Sequence, residues 1–375
     1  MITLASIIER FEPAYLAQYH NTVLPSHRQA LGAMKLCRSS MAPSMLAQCG
    51  ACGEQRLVPH SCGHRNCPHC QHFESQRWID RQTQRLVAGN YFLITFTLPG
   101  ELRPLAWQHQ RQVYARLMQC AWQTLHTFTQ NHRHLQGSPG AVAVLHTHSR
   151  RLEFHPHVHL AMPAAALDAD KGLWRTLRLS ANGRGAYLFN HKALAKVFRA
   201  KLLAALHEDG LMPPPGLPEQ WVVDCKAVGT GEKALVYLGR YLYRGVLQEA
   251  DIIGCENGQV TYRYRDSKTK KTMLRTVSGA TFLWLLMQHV LPKGFRRARN
   301  FGFLHPNSKR LIALLRLLVF KPRVVTPTGS APATQAQRPT LLCRCCGAVM
   351  NIVRRRILPL ITPPVRANRE EIAGT

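Results

Sequence analysis

Apolar residues recur along the chain at spacings that separate strands from helices. Over residues 7–36 the apolar positions have helical spacing. Between residues 91 and 228, segments with strand-like spacing and segments with helical spacing follow one another. The predicted strands are 91–98, 141–147, 154–162 and 220–228, and the predicted helices lie around 105–135 and 191–207. The resulting order, β-α-β-β-α-β, predicts an α+β fold of the split βαβ, or ferredoxin-like, type. We expect an antiparallel sheet with helices on one face and the other face free to carry a site.

A further helix is predicted over 232–246, followed by a hairpin over 259–277 and a buried helix over 279–291. Residues 322–340 are rich in Pro, Thr, Ala and Gln, which is typical of a flexible linker. The tail beyond it is basic and contains cysteines, and its fold is not predicted.

The charge of the chain is unusual. Its 49 Lys and Arg residues against 20 Asp and Glu residues give a net charge of +29. Such an excess indicates a polyanionic partner, DNA or RNA, bound through phosphate contacts. No apolar run is long enough to span a membrane, and the first residues do not form a secretory signal, so we expect a DNA-associated cytoplasmic protein.

Two Cys-x-x-Cys pairs, Cys49/Cys52 and Cys67/Cys70, lie in the N-terminal part. Four thiolates spaced in this way predict one structural Zn²⁺ site. Cys62 lies between the pairs, among several histidines, so a substituted ligand set or a second zinc stays open. Cys343 and Cys346 keep the same spacing, but no second pair follows them, so no zinc site is predicted in the tail.

Three histidines alternate in the segment His155-Pro-His157-Val-His159, so their side chains share one face of the predicted strand. Because imidazole is a common neutral metal ligand, we predict that His157 and His159 hold a divalent cation. The neighbouring strand offers His146 or His148 as a third ligand, and His155 is the other candidate. The plainer interpretation is a set of hydrogen-bonded sheet histidines. Mg²⁺ or Mn²⁺ suits a phosphate-directed role, and the ion is not decided by the ligand types.

Tyr237 and Tyr241 are four residues apart on the predicted 232–246 helix and so share a face. Arg240 and Arg244 form a second such pair, suited to binding phosphate. Tyrosines on helices are usually packing residues, but the histidines and the charge favour a nucleophilic role here. We expect attack on a DNA phosphate, with charge withdrawn by the cation, giving a 5′-phosphotyrosine and a free 3′-hydroxyl. Downstream, Arg296, Arg297 and Arg299 form the densest basic patch and are predicted to bind DNA.

Together these segments resemble the two-tyrosine transposases of the insertion sequence 91 family, which act by a rolling-circle-like route. The matching segments are the cysteine module 49–70, Thr-Leu-Pro at 97–99, HPHVH at 155–159, YLGRYLYR at 237–244, FRRARNFGFL at 295–304 and LCRCCG at 342–347. The resemblance implies an HUH nuclease core, named for two histidines separated by one apolar residue. It implies His157 and His159 as metal ligands and Tyr237 and Tyr241 as nucleophiles.

The function expected is that of a transposase that nicks and transfers single-stranded ends of a mobile element. The alternatives are a non-catalytic zinc-containing nucleic-acid-binding regulator and a metal-dependent hydrolase. Four segments are predicted: an N-terminal helix and zinc module, an HUH catalytic domain, a basic hairpin and helical DNA-binding extension, and a flexible linker with a basic cysteine-containing tail. Their bounds are 1–88, 89–250, 251–321 and 322–375.

Overall fold

The computed structural model describes residues 2–177, 188–243, 246–266, 269–319 and 340–359. The chain forms two compact units. The first contains Met1–Lys35 and Gly63–Arg338, and the second contains Leu36–Cys62 and Pro339–Thr375.

The helices are α1 Leu4–Gln18, α2 Pro25–Leu36, α3 His72–Thr83, α4 Arg103–Gln108, α5 Gln110–Asn131, α6 His191–Glu208, α7 Glu232–Tyr243, α8 Gly279–Met287 and α9 Lys309–Val319. The strands are β1 Ser44–Cys49, β2 Gln55–Pro59, β3 Tyr91–Thr97, β4 Gly140–His148, β5 Phe154–Pro163, β6 Ala165–Asp168, β7 Leu173–Thr176, β8 Val223–Ala227, β9 Ile252–Glu256, β10 Gln259–Arg265, β11 Thr272–Ser278, β12 Ala298–Gly302 and β13 Met350–Ile357.

The first unit is built on a five-stranded antiparallel sheet with the order β12-β4-β5-β3-β8. All four strands predicted between residues 91 and 228 are present in it. The predicted helix around 105–135 forms as α4 and α5, because the backbone leaves helical geometry at His109, where φ is −120° and ψ is 45°. The chain is thus a mixed α and β protein with antiparallel sheets.

Helices cover both faces of this sheet. One face packs its apolar side chains, among them Phe96, Leu145 and Leu160, against α5 and α6. The other face, which the sequence analysis left free, packs Val144 and Ala161 against α3 and α7. The reason lies in the strands themselves. Nearly every position of β4 is buried, so both faces of this strand need a covering layer.

A second sheet of the first unit, with the order β11-β10-β9, contains the predicted hairpin. Helix α8 follows it and packs against α1. A side chain at Gly279 would meet the Phe11 ring at 2.2 Å, so glycine is what lets α8 begin against α1. No helix in the described part of the chain is long and apolar enough to cross a membrane.

The second unit is a three-stranded sheet with the order β13-β1-β2. Strand β13 lies near the end of the chain and pairs antiparallel with β1 near its beginning. This pairing explains why the two units differ from the four consecutive segments predicted from the sequence. Most of the predicted linker, residues 322–339, lies outside the described residues.

Candidate active site

Three histidines meet on the α7 face of the main sheet. In the register of β4 and β5, His146 lies opposite His157 and Val144 lies opposite His159. One ligand nitrogen of each of His146, His157 and His159 lies within 4.8 Å of the others. The ring centroids are 4.3 Å apart for His146 and His159, and 5.1 Å apart for His146 and His157. The predicted ligand pair is therefore joined by one histidine of the neighbouring strand.

Burial keeps these imidazoles neutral. Desolvation lowers the pKa of His157 to about 4 and, with a smaller contribution from the His157 charge, that of His159 to about 3. The pKa of His146 is also lowered, first by burial and then by the two neighbouring imidazoles. At neutral pH the three rings thus keep a lone pair for a cation, the state in which histidine binds metals.

Hydrogen bonds leave ring nitrogens available at the cluster. His157 Nδ1 donates to the His155 carbonyl oxygen at 2.7 Å, which leaves the lone pair on Nε2. His159 Nδ1 is hydrogen-bonded to Thr95 Oγ1 at 2.7 Å. His146 Nε2 is buried without a hydrogen-bond partner among the described residues. A buried unpaired nitrogen is costly, so this donor set fits a divalent cation.

His148 and His155, the other candidate ligands, are engaged elsewhere. His148 Nδ1 donates to the Ser149 carbonyl oxygen at 2.9 Å. His155 Nδ1 accepts a hydrogen bond of 2.8 Å from Arg103 Nη2. The register between the strands shifts by one residue after His146, so β5 bulges near Pro156. Bulges redirect side chains, which explains why strict alternation did not separate His155 from the other two.

Both predicted nucleophiles lie against this cluster. The Tyr241 ring stacks on His146 with centroids 3.2 Å apart, and the Tyr237 ring lies 5.8 Å from His159 and 5.9 Å from His146. Their environments differ. The Tyr237 side chain is 46% exposed, whereas the Tyr241 hydroxyl is buried. Desolvation raises the pKa of both phenols, and nearby arginines oppose the shift.

Small residues fix the position of α7. A Cβ atom at Gly239 would lie 2.3 Å from Ile79 Cγ1, so glycine lets α7 approach α3 closely. Ser75 of α3 donates a hydrogen bond of 2.9 Å to the Gly239 carbonyl oxygen. At the beginning of the helix, Gly231 has φ +87° and leaves no room for a side chain beside the Tyr91 ring. Both tyrosines are thereby held over the histidine face.

The predicted DNA-binding arginines occupy different environments. Arg240 is exposed and lines a cavity of about 250 Å³ with Tyr237 and Tyr241. Arg244 lies outside the described residues. Arg296 is exposed and Arg299 is half-buried. Arg297 was predicted to belong to the surface patch, but it is buried, and its guanidinium carbon lies 6.0 Å from the Tyr241 ring centroid.

A separate cysteine cluster lies in the second unit. The sulfurs of Cys49, Cys52, Cys343 and Cys346 lie within 4.8 Å of one another. Three of the Sγ–Sγ distances are 3.5, 3.6 and 3.6 Å. Four sulfurs placed tetrahedrally at about 2.3 Å from a Zn²⁺ ion would be separated by roughly 3.8 Å. The cluster therefore has the size of a tetrathiolate zinc site and is too open for disulfides.

The two halves of this cluster have the same backbone. Gly53 and Gly347, each directly after a Cys-x-x-Cys pair, have φ +74° and +72°. Each glycine N–H donates to the carbonyl oxygen of the first cysteine of its pair, at 3.1 and 3.0 Å. Backbone N–H groups of Cys52 and Ala51 also lower the pKa of the Cys49 thiol to about 7, which favours the thiolate that binds metal.

The spacing of the cysteines predicts a site that joins Cys49 and Cys52 to Cys67 and Cys70, whereas the structure groups them with Cys343 and Cys346. Cys67 and Cys70 are buried in the first unit, and Cys62 is half-buried at the end of the segment Leu36–Cys62. The missed signal was the repeated pattern Cys-x-x-Cys-Gly, present at 49–53 and again at 343–347.

Comparisons with known proteins identify similar proteins among transposases. Residues 140–311 match a family model described as "Putative transposase", and residues 7–98 match one described as "Transposase zinc-binding domain". The chain is 31% identical over 324 residues to a protein of Sinorhizobium fredii named "Putative transposase y4qJ", covering 80% of each chain. It is 30% identical over 295 residues to the transposase for insertion sequence element IS801 of Pseudomonas savastanoi pv. phaseolicola, covering 72% of this chain and 68% of that one.

Proposed function

Since this chain belongs to the insertion sequence 91 family of transposases, we propose that it cuts and transfers single DNA strands through covalent links to Tyr237 and Tyr241. The observation that carries the proposal is the convergence of two tyrosines on a cluster of three neutral histidines. The Tyr237 ring lies within 6 Å of two of these imidazoles, and Tyr241 stacks on one of them.

His146, His157 and His159 would hold a divalent cation, Mg²⁺ or Mn²⁺. The chemistry that a bound cation supplies at such a site is withdrawal of charge from a non-bridging phosphate oxygen. The side chains of the protein hold the cation and supply the nucleophiles. The unpaired His146 Nε2 and the hydrogen bonds of His157 and His159 support this ligand set, since a partner on one ring nitrogen directs the other toward the metal.

The reaction is a transesterification at phosphorus. The Tyr237 oxygen forms a bond to the phosphorus as the bond from phosphorus to the 3′-oxygen breaks. The phenol releases a proton, and the departing 3′-oxygen takes one up to become a hydroxyl. The 5′-phosphotyrosine keeps the energy of the phosphodiester, so the strand can be rejoined to a new 3′-hydroxyl without a nucleotide cofactor.

The strand order supports assigning an HUH-type core with ferredoxin-like topology. The four strands of the predicted β-α-β-β-α-β series are arranged as β4-β5-β3-β8, and β12 extends the edge next to β4. In this arrangement the histidine-bearing strands β4 and β5 are neighbours, which is what a ligand set shared between two strands requires. The cysteine cluster of the second unit would hold a structural zinc.

The test is incubation of end-labelled single-stranded DNA with the full chain and Mg²⁺ or Mn²⁺, followed by denaturing gel analysis. We expect a labelled strand that migrates with the protein and is released by protease. The Tyr237→Phe/Tyr241→Phe variant should form no adduct, and His157→Ala should lower adduct formation by a factor of about 100 or more.

His155→Ala is the matched control. This imidazole lies on the same strand but is engaged by Arg103, so its loss should leave adduct formation near the wild-type level. Adducts that persist without both tyrosines would refute the nucleophile assignment. Cut strands with no attached protein would indicate a hydrolase, and binding with intact strands would indicate a regulator.

A further inference from the structure

Two adjoining cavities form one open cleft between α3 and the segment Lys293–Phe301. The smaller has a volume of about 540 Å³ and the larger about 1000 Å³. Both are lined by Trp78, Phe295 and Arg296, so they are continuous. We propose that this arginine cleft binds the phosphate backbone of single-stranded DNA. The inference rests on the proposed function and adds the path that the DNA follows.

The lining of the arginine cleft is cationic throughout. Eight Lys and Arg side chains line it, and neither cavity has an Asp or Glu in its lining among the described residues. The eight are Arg65, Arg81, Arg85, Arg111, Lys293, Arg296, Arg297 and Arg299. None of them forms an ion pair with a carboxylate in the described part of the chain, although ten such pairs occur elsewhere. Like charges held together without carboxylates are suited to a polyanion.

Aromatic and amide groups lie between the cations, which favours a single strand over a duplex. The Phe301 ring is half-buried in the cleft and is backed by the Trp122 ring, stacked at 5.1 Å with an interplanar angle of 11°. Asn300 and Gln82 are joined by a hydrogen bond of 3.2 Å within the same lining. The part of the Phe301 ring that stays exposed can stack on a base, and bases are accessible in a single strand but stacked inside a duplex.

The arginine cleft ends beside the nucleophiles. Arg297 and Leu242 line its smaller cavity, and Leu242 follows Tyr241 in α7. The guanidinium carbon of Arg297 also lies 6.0 Å from the centroid of the Tyr241 ring. A strand that follows the cleft from Arg81 toward Leu242 would therefore arrive at the tyrosine helix.

Equilibrium binding of a fluorescent oligonucleotide to the Tyr237→Phe/Tyr241→Phe protein tests this without any strand chemistry. In that background we would replace Arg81, Arg85 and Arg296, all exposed, with Gln. Removal of three phosphate contacts should reduce the slope of log K against log salt by about 2 and weaken binding about tenfold or more at ~0.1 M salt.

The matched control replaces three exposed cations that do not line the cleft, Arg133, Lys192 and Lys196, with Gln. It removes the same charge and should leave the salt slope unchanged. Equal losses in both variants, or no loss in either, would overturn the cleft assignment. An equal loss for duplex DNA in the arginine-cleft variant would overturn the commitment to a single strand.

Lysine acetylation of the wild-type protein gives a second measurement, which requires no substitution and so does not depend on whether a variant folds. Bound oligonucleotide should protect the exposed Lys293 of the arginine cleft and leave Lys192 and Lys196 reactive. Equal reactivity of Lys293 with and without DNA counts against the proposal. If DNA protects Lys293 but no covalent adduct forms, the phosphotyrosine chemistry is rejected and the assignment of the cleft as a DNA-binding site stands.

Discussion

The Tyr241 ring lies parallel to the His146 imidazole, with centroids 3.2 Å apart and planes inclined by 10°. This contact joins the tyrosine helix to the histidine strand and buries one face of each ring. It also makes the two tyrosines unequal. Tyr237 keeps 46% of its surface exposed, whereas the Tyr241 hydroxyl is enclosed. Two residues that look equivalent in the sequence therefore have different access to a phosphate.

This asymmetry predicts an order of action. Tyr237→Phe should abolish the first covalent adduct, because the accessible phenol is lost. Tyr241→Phe should keep the first adduct and lower the second step, transfer of the held strand, by a factor of about 10 or more, because the hydroxyl that attacks in that step is lost. Single-turnover assays with labelled DNA, resolved on denaturing gels, separate the two steps. Equal loss of the first adduct in both variants would show that access does not set the order.

Gly239→Ala tests whether the approach of α7 to α3 positions the tyrosines. Alanine favours a helix over glycine by about 1 kcal/mol, but its Cβ would lie 2.3 Å from Ile79 Cγ1. Overpacking costs about 1–3 kcal/mol, so we expect a net loss of stability by thermal unfolding. Adduct formation should fall about tenfold or more because both tyrosines move with the helix.

The matched variant is Gly239→Ala combined with Ile79→Ala, which removes the side chain that the new Cβ meets. Adduct formation should recover in the double variant relative to Gly239→Ala alone, a non-additive result expected for residues in contact. If Gly239→Ala is as active as the wild type, the close approach of the helices has no part in placing the tyrosines.

Much of the site was predictable from local patterns. Alternation along β5 placed His157 and His159 on one face, and the four-residue spacing placed both tyrosines on one side of α7. The covering of that face by α3 and α7 was not predictable, since which layer packs on a buried strand depends on distant residues. The burial of Arg297 was missed for the same reason. An arginine within a basic run predicts a surface site, but Arg297 lies directly before β12, where its carbonyl oxygen accepts a hydrogen bond of 2.9 Å from the Leu145 N–H of β4, and its side chain is buried.

The cysteine cluster of the second unit shows more clearly what local patterns cannot predict. A Cys-x-x-Cys pair identifies half of a site, and the nearest second pair in the sequence is the natural partner to assume. The structure instead joins Cys49 and Cys52 to a pair near the other end of the chain, because β1 and β13 are neighbours in one sheet. Strand pairing over such a distance has no local signal.

His27 predicts how stability depends on pH. This side chain is fully buried, and burial lowers the pKa of its imidazole from 6.5 to about 4. Below pH 6.5 the unfolded chain binds the proton and the folded chain does not, so stability falls as the pH is lowered. By pH 4 this group should have removed about 3 kcal/mol from the free energy of unfolding.

His27→Gln, which cannot titrate, isolates this contribution from that of the other buried histidines. Denaturant unfolding at pH 7, 5.5 and 4.5 should show a shallower decline for the variant than for the wild type. The Leu24 N–H donates to His27 Nδ1 at 3.3 Å, so the variant starts from a lower stability and only the slopes are compared. Identical slopes would mean that burial does not lower the pKa of His27 in the folded protein.

Cys343→Ser tests the structural zinc that we propose for the second unit. Cys343→Ser should lower the zinc content by one equivalent, because Cys343 is one of four sulfurs within 4.8 Å. It should also expose the segment Leu36–Cys62 to limited proteolysis, since a structural zinc contributes directly to folding. Cys345→Ser is the matched control, as Cys345 is exposed and lies outside the cluster, so it should keep the full zinc content. The zinc content is measured by elemental analysis. If it is unchanged in Cys343→Ser, the zinc ligands must be the cysteines near the N-terminus alone.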